Sequence, residues 1–513
     1  MNKISTFLII TFSFSLLPYH QLFSQQSHNF MVIAPGIKIE QLSDDMSKIT
    51  PTWQQFEWQK MEFIAFAHFG MNTFTDKEWG EGTEDPSLFD PTSFNAEQWA
   101  QTFRAAGMRM LIIVAKHHDG FCYWPSKFTT HSVKKSPWKK GKGDIVGELV
   151  KACRENGLKV GIYLSPWDRH EKTYGNTPEY NKFFINQLKE LLTNYGAISE
   201  VWFDGACAEG PNGKKQEYDW ASYFKTVRQL QPGALIFGMG PDIRWVGNEA
   251  GSARESEWSV VPVKVKNTTQ LQVENSLDNV FLPGDLTQDD LGSLDEVIKS
   301  QVVAWYPAEA DVSIRPGWFY HQKEDGMVKT PEQLFDLYFS TVGRNSVLLL
   351  NVPPDKRGLI PDADARSLIG LRSFINQTFE INLADKALFT YLNPESDKPY
   401  FVSSNKNINW QAKEEADSSI LNLALPNAKS FDVVMLQESI QKGQRIEKFR
   451  LDFFDGKEWK TFSHGTTIGY KRLLRFPAIT TNQIRLVIEK SRGPATLCMF
   501  GLYKLPSSLE VKK

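Results

Sequence analysis

Residues 64–67, 110–115, 159–164, 198–204, 234–239 and 346–351 are short, nearly unbroken apolar runs of β-forming residues, and amphipathic segments of helical period lie between them. That alternation constrains the fold more than any other feature of the chain. A strand that is apolar on both sides must be covered on both sides, and parallel sheets with crossover helices do this. The helical segments carry their own punctuation. Trp99 and Phe103, four residues apart, share one face of a helix that begins after Asn95 and stops at Gly107. Asp144 and Gly157 bracket the next, and Thr177 and Pro178 open a long third one that ends at Gly196. No glycine-rich dinucleotide turn or phosphate loop accompanies the strands, which disfavours an open nucleotide-binding sheet. Residues 35–380 therefore predict an α/β domain, a (β/α)8-like TIM barrel, with irregular units in the poorly periodic stretch 245–320.

Past residue 385 the period becomes two. Runs at 431–436, 446–454, 459–462, 472–476, 483–488 and 497–503 read as short strands, and Asp455 with Gly456 marks a hairpin. They predict an all-β sandwich over 385–505, discoidin-like, which either buttresses the barrel or binds carbohydrate. A chain of 513 residues suits two such domains. At the other end, Lys3 precedes an apolar stretch too short to span a bilayer. Residues 1–24 read as a secretory signal peptide, so export to the periplasm or beyond is expected, with no membrane insertion once the signal is removed. The formal net charge of −2 argues against a nucleic-acid partner. The basic stretch 134–142 contains Pro137 and Gly141 and reads as a solvated loop. Cys122, Cys153, Cys207 and Cys498 show no Cys-x-x-Cys spacing and are expected as buried thiols.

In such a barrel the C-terminal ends of the strands form the mouth where active sites are built. Asp204 ends the run 198–204, directly after Trp202 and Phe203 and before Gly205. Its carboxylate either caps the following segment or does chemistry. The other strand ends add His68, then Glu78 and Trp79 in the following loop, His117 and His118, Tyr163, and finally Arg244 and Glu249 after the fifth run. Adjacent histidines on a strand would point to opposite sides, which argues against a shared metal ion. No metal and no cofactor are expected. Two carboxylates among hydroxyl-binding groups suit glycoside hydrolysis, with Asp204 as an ionised nucleophile and Glu249 as a protonated acid. Glu255, Glu257 and Glu309 are rivals for the acid.

Several segments carry a resemblance. They are 68–70 with Glu78 and Trp79, 116–121, 201–206, 240–251 and 314–320. In this order the chain resembles glycoside hydrolase family twenty-nine, the α-L-fucosidases, and its subfamily B most. The resemblance implies a barrel followed by a β-sandwich, Asp204 as nucleophile and Glu249 as acid/base. It implies fucose hydroxyls bound by His68, Glu78, Trp79, His117, His118, Tyr163 and Arg244, with Trp202 lining the pocket. It further implies a retaining exo-α-L-fucosidase that removes α-1,3- or α-1,4-linked fucose from branched, Lewis-type oligosaccharides or glycoprotein glycans. The alternative is a catalytically silent glycan-binding protein on the same fold, against which the presence of both carboxylates argues. The oligomeric state is not legible.

Overall fold

The computed structural model describes residues 28–393, 396–403, 408, 410–412 and 419–509; the expected signal segment lies outside the described residues. Eight parallel strands form the barrel: β1 (Phe63–Ala67), β2 (Met110–Lys116), β3 (Lys159–Leu164), β4 (Glu200–Phe203), β5 (Leu235–Gly238), β6 (Arg244–Trp245), β7 (Ala308–Ser313) and β8 (Val347–Asn351). Hydrogen-bonded neighbours run β5-β4-β3-β2-β1-β8-β7-β6, and a parallel bridge between Phe237 and Ile243 brings β6 back beside β5. The ring is thus nearly closed. β1, β2 and β8 are buried along their whole length, as strands must be when side chains fill one face and helices cover the other.

Six helices make the outer layer: α1 (Ala96–Ala105), α2 (Ile145–Glu155), α3 (Thr177–Asn194), α4 (Trp220–Leu230), α5 (Pro331–Ser340) and α6 (Asp362–Phe379). Side chains cap them where the sequence has short polar residues. Asn95, Asp144, Asp219 and Thr330 accept from backbone N–H groups of the first turns of α1, α2, α4 and α5. Gly107, with φ +88°, and Gly157, with φ +69°, follow α1 and α2 in the left-handed region that ends a helix. No helix of the described residues is long and apolar enough to cross a membrane.

The regular pattern fails at one place. β5 and β6 are joined directly through residues 239–243, with no helix between them. Gly238, at φ +78°, donates its N–H to the Ile243 carbonyl at 3.1 Å, and this tight turn sets β6 beside β5. The long β6–β7 connection then returns through small strands at Val260–Pro262 and Val302–Trp305, the latter paired with Phe30–Val32.

The C-terminal region is a seven-stranded antiparallel sheet. Its strands are β9 (Leu388–Asn393), β10 (Ser396–Ser403), β11 (Ser419–Gln437), β12 (Ile446–Phe454), β13 (Trp459–Gly465), β14 (Arg472–Ser491) and β15 (Met499–Tyr503). The sequence runs at 472–476 and 483–488 are one long strand, β14, rather than two. β11 and β14 pair along most of their length with register shifts between Ala424 and Lys429 and between Phe431 and Val433. Leu421, Leu423, Val434, Leu436, Leu486 and Phe476, from both halves of these strands, share one apolar core, so the sheet folds over on itself. Val433, Met435, Leu473 and Tyr503 belong instead to the barrel's core cluster. Ion pairs reinforce that junction: Lys471 with Glu62 at 2.6 Å, Arg472 with Glu255 at 2.9 Å and Arg475 with Asp336 at 2.7 Å. Cys122 and Cys153 are buried, but Cys207 is exposed, contrary to expectation, because the chain beyond β4 leaves the core for an open loop.

Candidate active site

Alternation along the strands decides which side chains reach the mouth. On β4, Glu200 and Trp202 face inward, and Asp204 continues the same parity just past the strand's end. Glu200 is fully buried; the Asp204 side chain is 25% exposed and lines a cavity of about 150 Å³. Its other walls are Phe66, His68, Glu78, Trp79, His117, His118, Tyr163, Trp202, Ala206, Glu249, Asp311 and Trp318. At ~30 Å³ per water the space holds about five waters, which suits one small ring. A larger cleft of about 690 Å³ runs between barrel and sandwich. Its charges pair with one another, as Arg492 does with Glu447 at 2.9 Å, whereas the smaller cavity gathers polar groups with bonding capacity to spare.

Nine of the ten expected residues therefore converge. The tenth, Arg244, does not. β6 is two residues long; Trp245 faces the barrel interior, so Arg244 faces away. Its guanidinium is fully buried, pairs with Glu257 and donates to the carbonyls of Tyr306 and Trp258 at 2.9 Å each. It is a structural ion pair, and neither it nor Glu257 lines the pocket. Glu309 is likewise no candidate acid: it is fully buried and accepts from the Trp202 indole at 3.0 Å. Glu255 pairs with Arg472 at the sandwich junction.

Asp204 is held at both oxygens. Tyr163 Oη donates to Oδ2 at 2.9 Å, and the Ala206 N–H donates to Oδ1 at 2.7 Å. His118 Nε2 lies 3.8 Å from Oδ2. Burial first, then the adjacent carboxylate, pushes the Tyr163 phenol far above its ordinary range, so it stays a donor.

The histidines depart from the expected picture in a useful way. β2 ends at Lys116, so His117 and His118 lie beyond the strand and its alternation does not apply. Their rings meet, centroids 4.1 Å apart, and both line the cavity. Ser165 Oγ donates to the Trp167 carbonyl and so accepts from His118 Nδ1, at 2.7 Å each. That leaves the lone pair on His118 Nε2. Asn351 Oδ1 accepts from the His68 backbone N–H at 3.1 Å, which orients the amide, and also accepts from His68 Nδ1 at 2.9 Å. His68 Nε2 is then an acceptor as well. Burial lowers all three imidazoles, His68 to about 4, so each is neutral at ordinary pH.

Residues 318–320, part of the segment 314–320 that was given no role, and His321 just beyond it complete the far wall. Glu78 accepts from the backbone N–H of Trp318 at 2.8 Å and of Phe319 at 3.2 Å. His321 bridges Glu78 and Asp76 at 2.6 Å each; against its burial, these two bonds raise it above the usual histidine range. The Trp318 indole donates to Glu249 at 3.3 Å. Glu249 stands on an exposed loop at the cavity rim. Asp311 is the site residue missed outright. It follows Glu309 by two on β7, so both face inward, and that parity was the available signal. Burial, together with Glu249 and Asp204, pushes Asp311 up to about 7 despite a bond from Trp245.

Among the described residues, then, the cavity offers neutral nitrogen acceptors and carboxylates beside aromatic faces, with no Lys or Arg in its lining. It matches a neutral, hydroxyl-rich ring with an apolar side. None of the described residues of the sandwich lines it.

Comparison with known proteins agrees. The α-L-fucosidase family model matches residues 37–380. An Arabidopsis thaliana protein, α-L-fucosidase 1, is 42% identical over 463 residues, covering 88% of this chain and 87% of its own. A crystal structure from Bacteroides ovatus shares 46% identity with a TM-score of 0.82, covering 94% of this chain and 79% of that one. A Ruminococcus gnavus GH29 fucosidase, solved with fucose, shares 34% identity with a TM-score of 0.77, covering 90% and 96%. With the family model spanning most of the chain and these relatives nearly all of it, the protein belongs to the α-L-fucosidase family of glycoside hydrolases.

Proposed function

We propose that this α-L-fucosidase works by double displacement, with Asp204 as nucleophile and Glu249 as acid/base. The observation that carries the reading is the state of Asp204: an inward carboxylate at the cavity floor, one oxygen bonded to Tyr163 and the other to a backbone N–H. Such donors fix the direction of the two oxygens. In the first step an Asp204 oxygen bonds the anomeric carbon while the glycosidic bond breaks, and the Glu249 carboxyl gives its proton to the departing oxygen. In the second, Glu249 takes a proton from water, the water oxygen bonds the same carbon, and Asp204 leaves as a carboxylate. The anomeric configuration is retained. Glu249, exposed on its loop at the cavity rim, stands where the rest of a bound glycan would cover it.

His68 and His118 accept hydrogens from ring hydroxyls, His117 bonds a further one, Glu78 fixes the wall beside them, and Phe66 and Trp202 face the apolar side. A cavity of about 150 Å³ supports an exo-acting enzyme that takes one terminal ring. Trp79, 59% exposed at the rim, and Trp318 offer faces for the sugars beyond fucose. With the subfamily resemblance, this supports α-1,3- or α-1,4-linked fucose on branched, Lewis-type glycans as the substrate. Residues 1–24 support export. The test is fucose release from a Lewis trisaccharide and from linear fucosyl-lactose. Preference for the trisaccharide is expected; equal rates would refute the branched substrate, and no release from either would refute the activity.

A further inference from the structure

Of the pocket's four carboxyls, hydrolysis uses Asp204 and Glu249 and Glu78 braces the wall, which leaves Asp311 without a role. We propose that Asp311 is a further substrate-binding residue: a carboxylic acid, anchored by the Trp245 indole near Glu249, that donates its hydrogen to an oxygen of the bound glycan and must keep that hydrogen for turnover. The proposal rests on the roles assigned above to Asp204 and Glu249.

Charge balance is the first argument. Glu78 is matched by His321, and Asp204 by the Tyr163 hydroxyl and the Ala206 N–H. Asp311 lines the same cavity, is 4% exposed and has one side-chain donor, Trp245 Nε1 at 2.7 Å on Oδ1. No cation stands in the lining to offset it. An ionised Asp311 would add a negative charge beside two carboxylates in a site that water leaves when substrate enters.

Hydrogen-bond demand is the second. A glycan offers hydroxyl hydrogens and also oxygens that need donors. The free Nε2 atoms of His68 and His118 are acceptors, the Tyr163 hydroxyl is engaged by Asp204, and the Trp318 indole by Glu249. A protonated Asp311, with Oδ1 committed to Trp245, has its other oxygen free to donate. Carboxyls kept neutral by their surroundings serve as donors in other enzymes.

The ionisable groups facing Asp311 are all carboxyls. Asp204 faces it from the end of β4, Glu249 from the loop after β6, and Glu309 from its own strand; β8, its other neighbour, carries no ionisable residue. Burial, then Glu249 and Asp204, push it up to about 7, so it loses its hydrogen near neutrality, while Glu309 stays protonated and adds no charge. Turnover then requires two protonated carboxyls, Glu249 and Asp311. The fall in kcat/KM at alkaline pH should be second order in hydroxide rather than first.

The experiment is the pH profile of kcat/KM for fucose release from a Lewis trisaccharide by wild type, Asp311→Asn and Asp311→Ala. In Asp311→Asn an amide N–H replaces the acid's O–H. We expect kcat/KM at pH 5 to fall by up to ~10-fold, the worth of one neutral bond, and the alkaline limb to become first order. Asp311→Ala should lose about 10–100-fold, with a raised KM, because the Trp245 N–H and the glycan oxygen lose their partner. A first-order limb in wild type, a second-order limb kept in Asp311→Asn, or equal damage from Asn and Ala at pH 5 would each overturn the proposal. Failure of wild type to release fucose would overturn the reading of the whole site; an active wild type with an unmoved limb would overturn Asp311 alone.

Discussion

Beneath the pocket two carboxyls meet in the dry interior of the barrel. Glu200 and Glu309 are both fully buried, each accepts one indole N–H, from Trp58 at 2.8 Å and from Trp202 at 3.0 Å, and they bond each other. Glu200 Oε1 and Glu309 Oε2 have no other partner. Two carboxylates could not stay there together, so the pair is protonated. Burial raises Glu200 to about 8 and Glu309 well above its ordinary range. The sign follows. An unfolded Glu200 ionises above about 4.5 and gains by it, while the folded one cannot until about 8, so stability falls as pH climbs between those values. At pH 7 the cost is 7 − 4.5, or about 2.5 units, times ~1.4 kcal/mol, near 3 kcal/mol. Glu200→Gln keeps the shape, lets the amide donate to Glu309 and cannot ionise. Urea unfolding followed by tryptophan fluorescence should find the two proteins similar at pH 4.5 and the variant about 3 kcal/mol better at pH 7. Glu309 is common to both, so its own titration largely cancels. Parallel stability curves across that window would refute the reasoning.

Other expectations concern the site and its frame. Tyr163→Phe removes one bond to the Asp204 carboxylate and should cut kcat by about 10–100-fold, the worth of a bond to a charged group, with the fold intact by circular dichroism. His321 is raised by Asp76 and Glu78, so its contribution is complete below pH 6.5 and fades as pH rises through its folded value. The melting temperature of His321→Gln should accordingly lag wild type at pH 6 and approach it in alkali. Arg244→Ala takes the closer of two arginines from buried Glu257 and leaves it only Arg254 at 3.4 Å, which should cost up to about 3–5 kcal/mol in unfolding free energy. Fucose affinity in the fraction that remains folded should be unchanged, as measured by calorimetry.

Much of this was legible in the sequence because parallel strands covered on both faces announce themselves as unbroken apolar runs. Glycines at helix ends and polar caps fixed the helices between them. Asp204 could be placed because its strand ends visibly, with Gly205 next. Parity in short elements was not legible. β6 has two residues, and nothing local says that Trp245 rather than Arg244 faces the interior. The run 110–115 marked the strand's end, but strand alternation does not carry on past it, which is why His117 and His118 share a wall that strict alternation would deny them. Asp311 was overshadowed by Glu309, although one inward direction at two depths gives the upper carboxyl a pocket and the lower one a core. β11 and β14 looked like shorter strands because their register shifts break the period-two pattern.

The most direct measurement is covalent trapping. Incubation with a 2-deoxy-2-fluoro-fucosyl donor, which slows the second displacement, should leave one fluorofucosyl group on the enzyme, and peptide mass spectrometry should find it on the Asp204 side chain. A label on Glu249 or Asp311 instead, or an active enzyme that releases fucose with inverted configuration and never carries the sugar, would contradict the account.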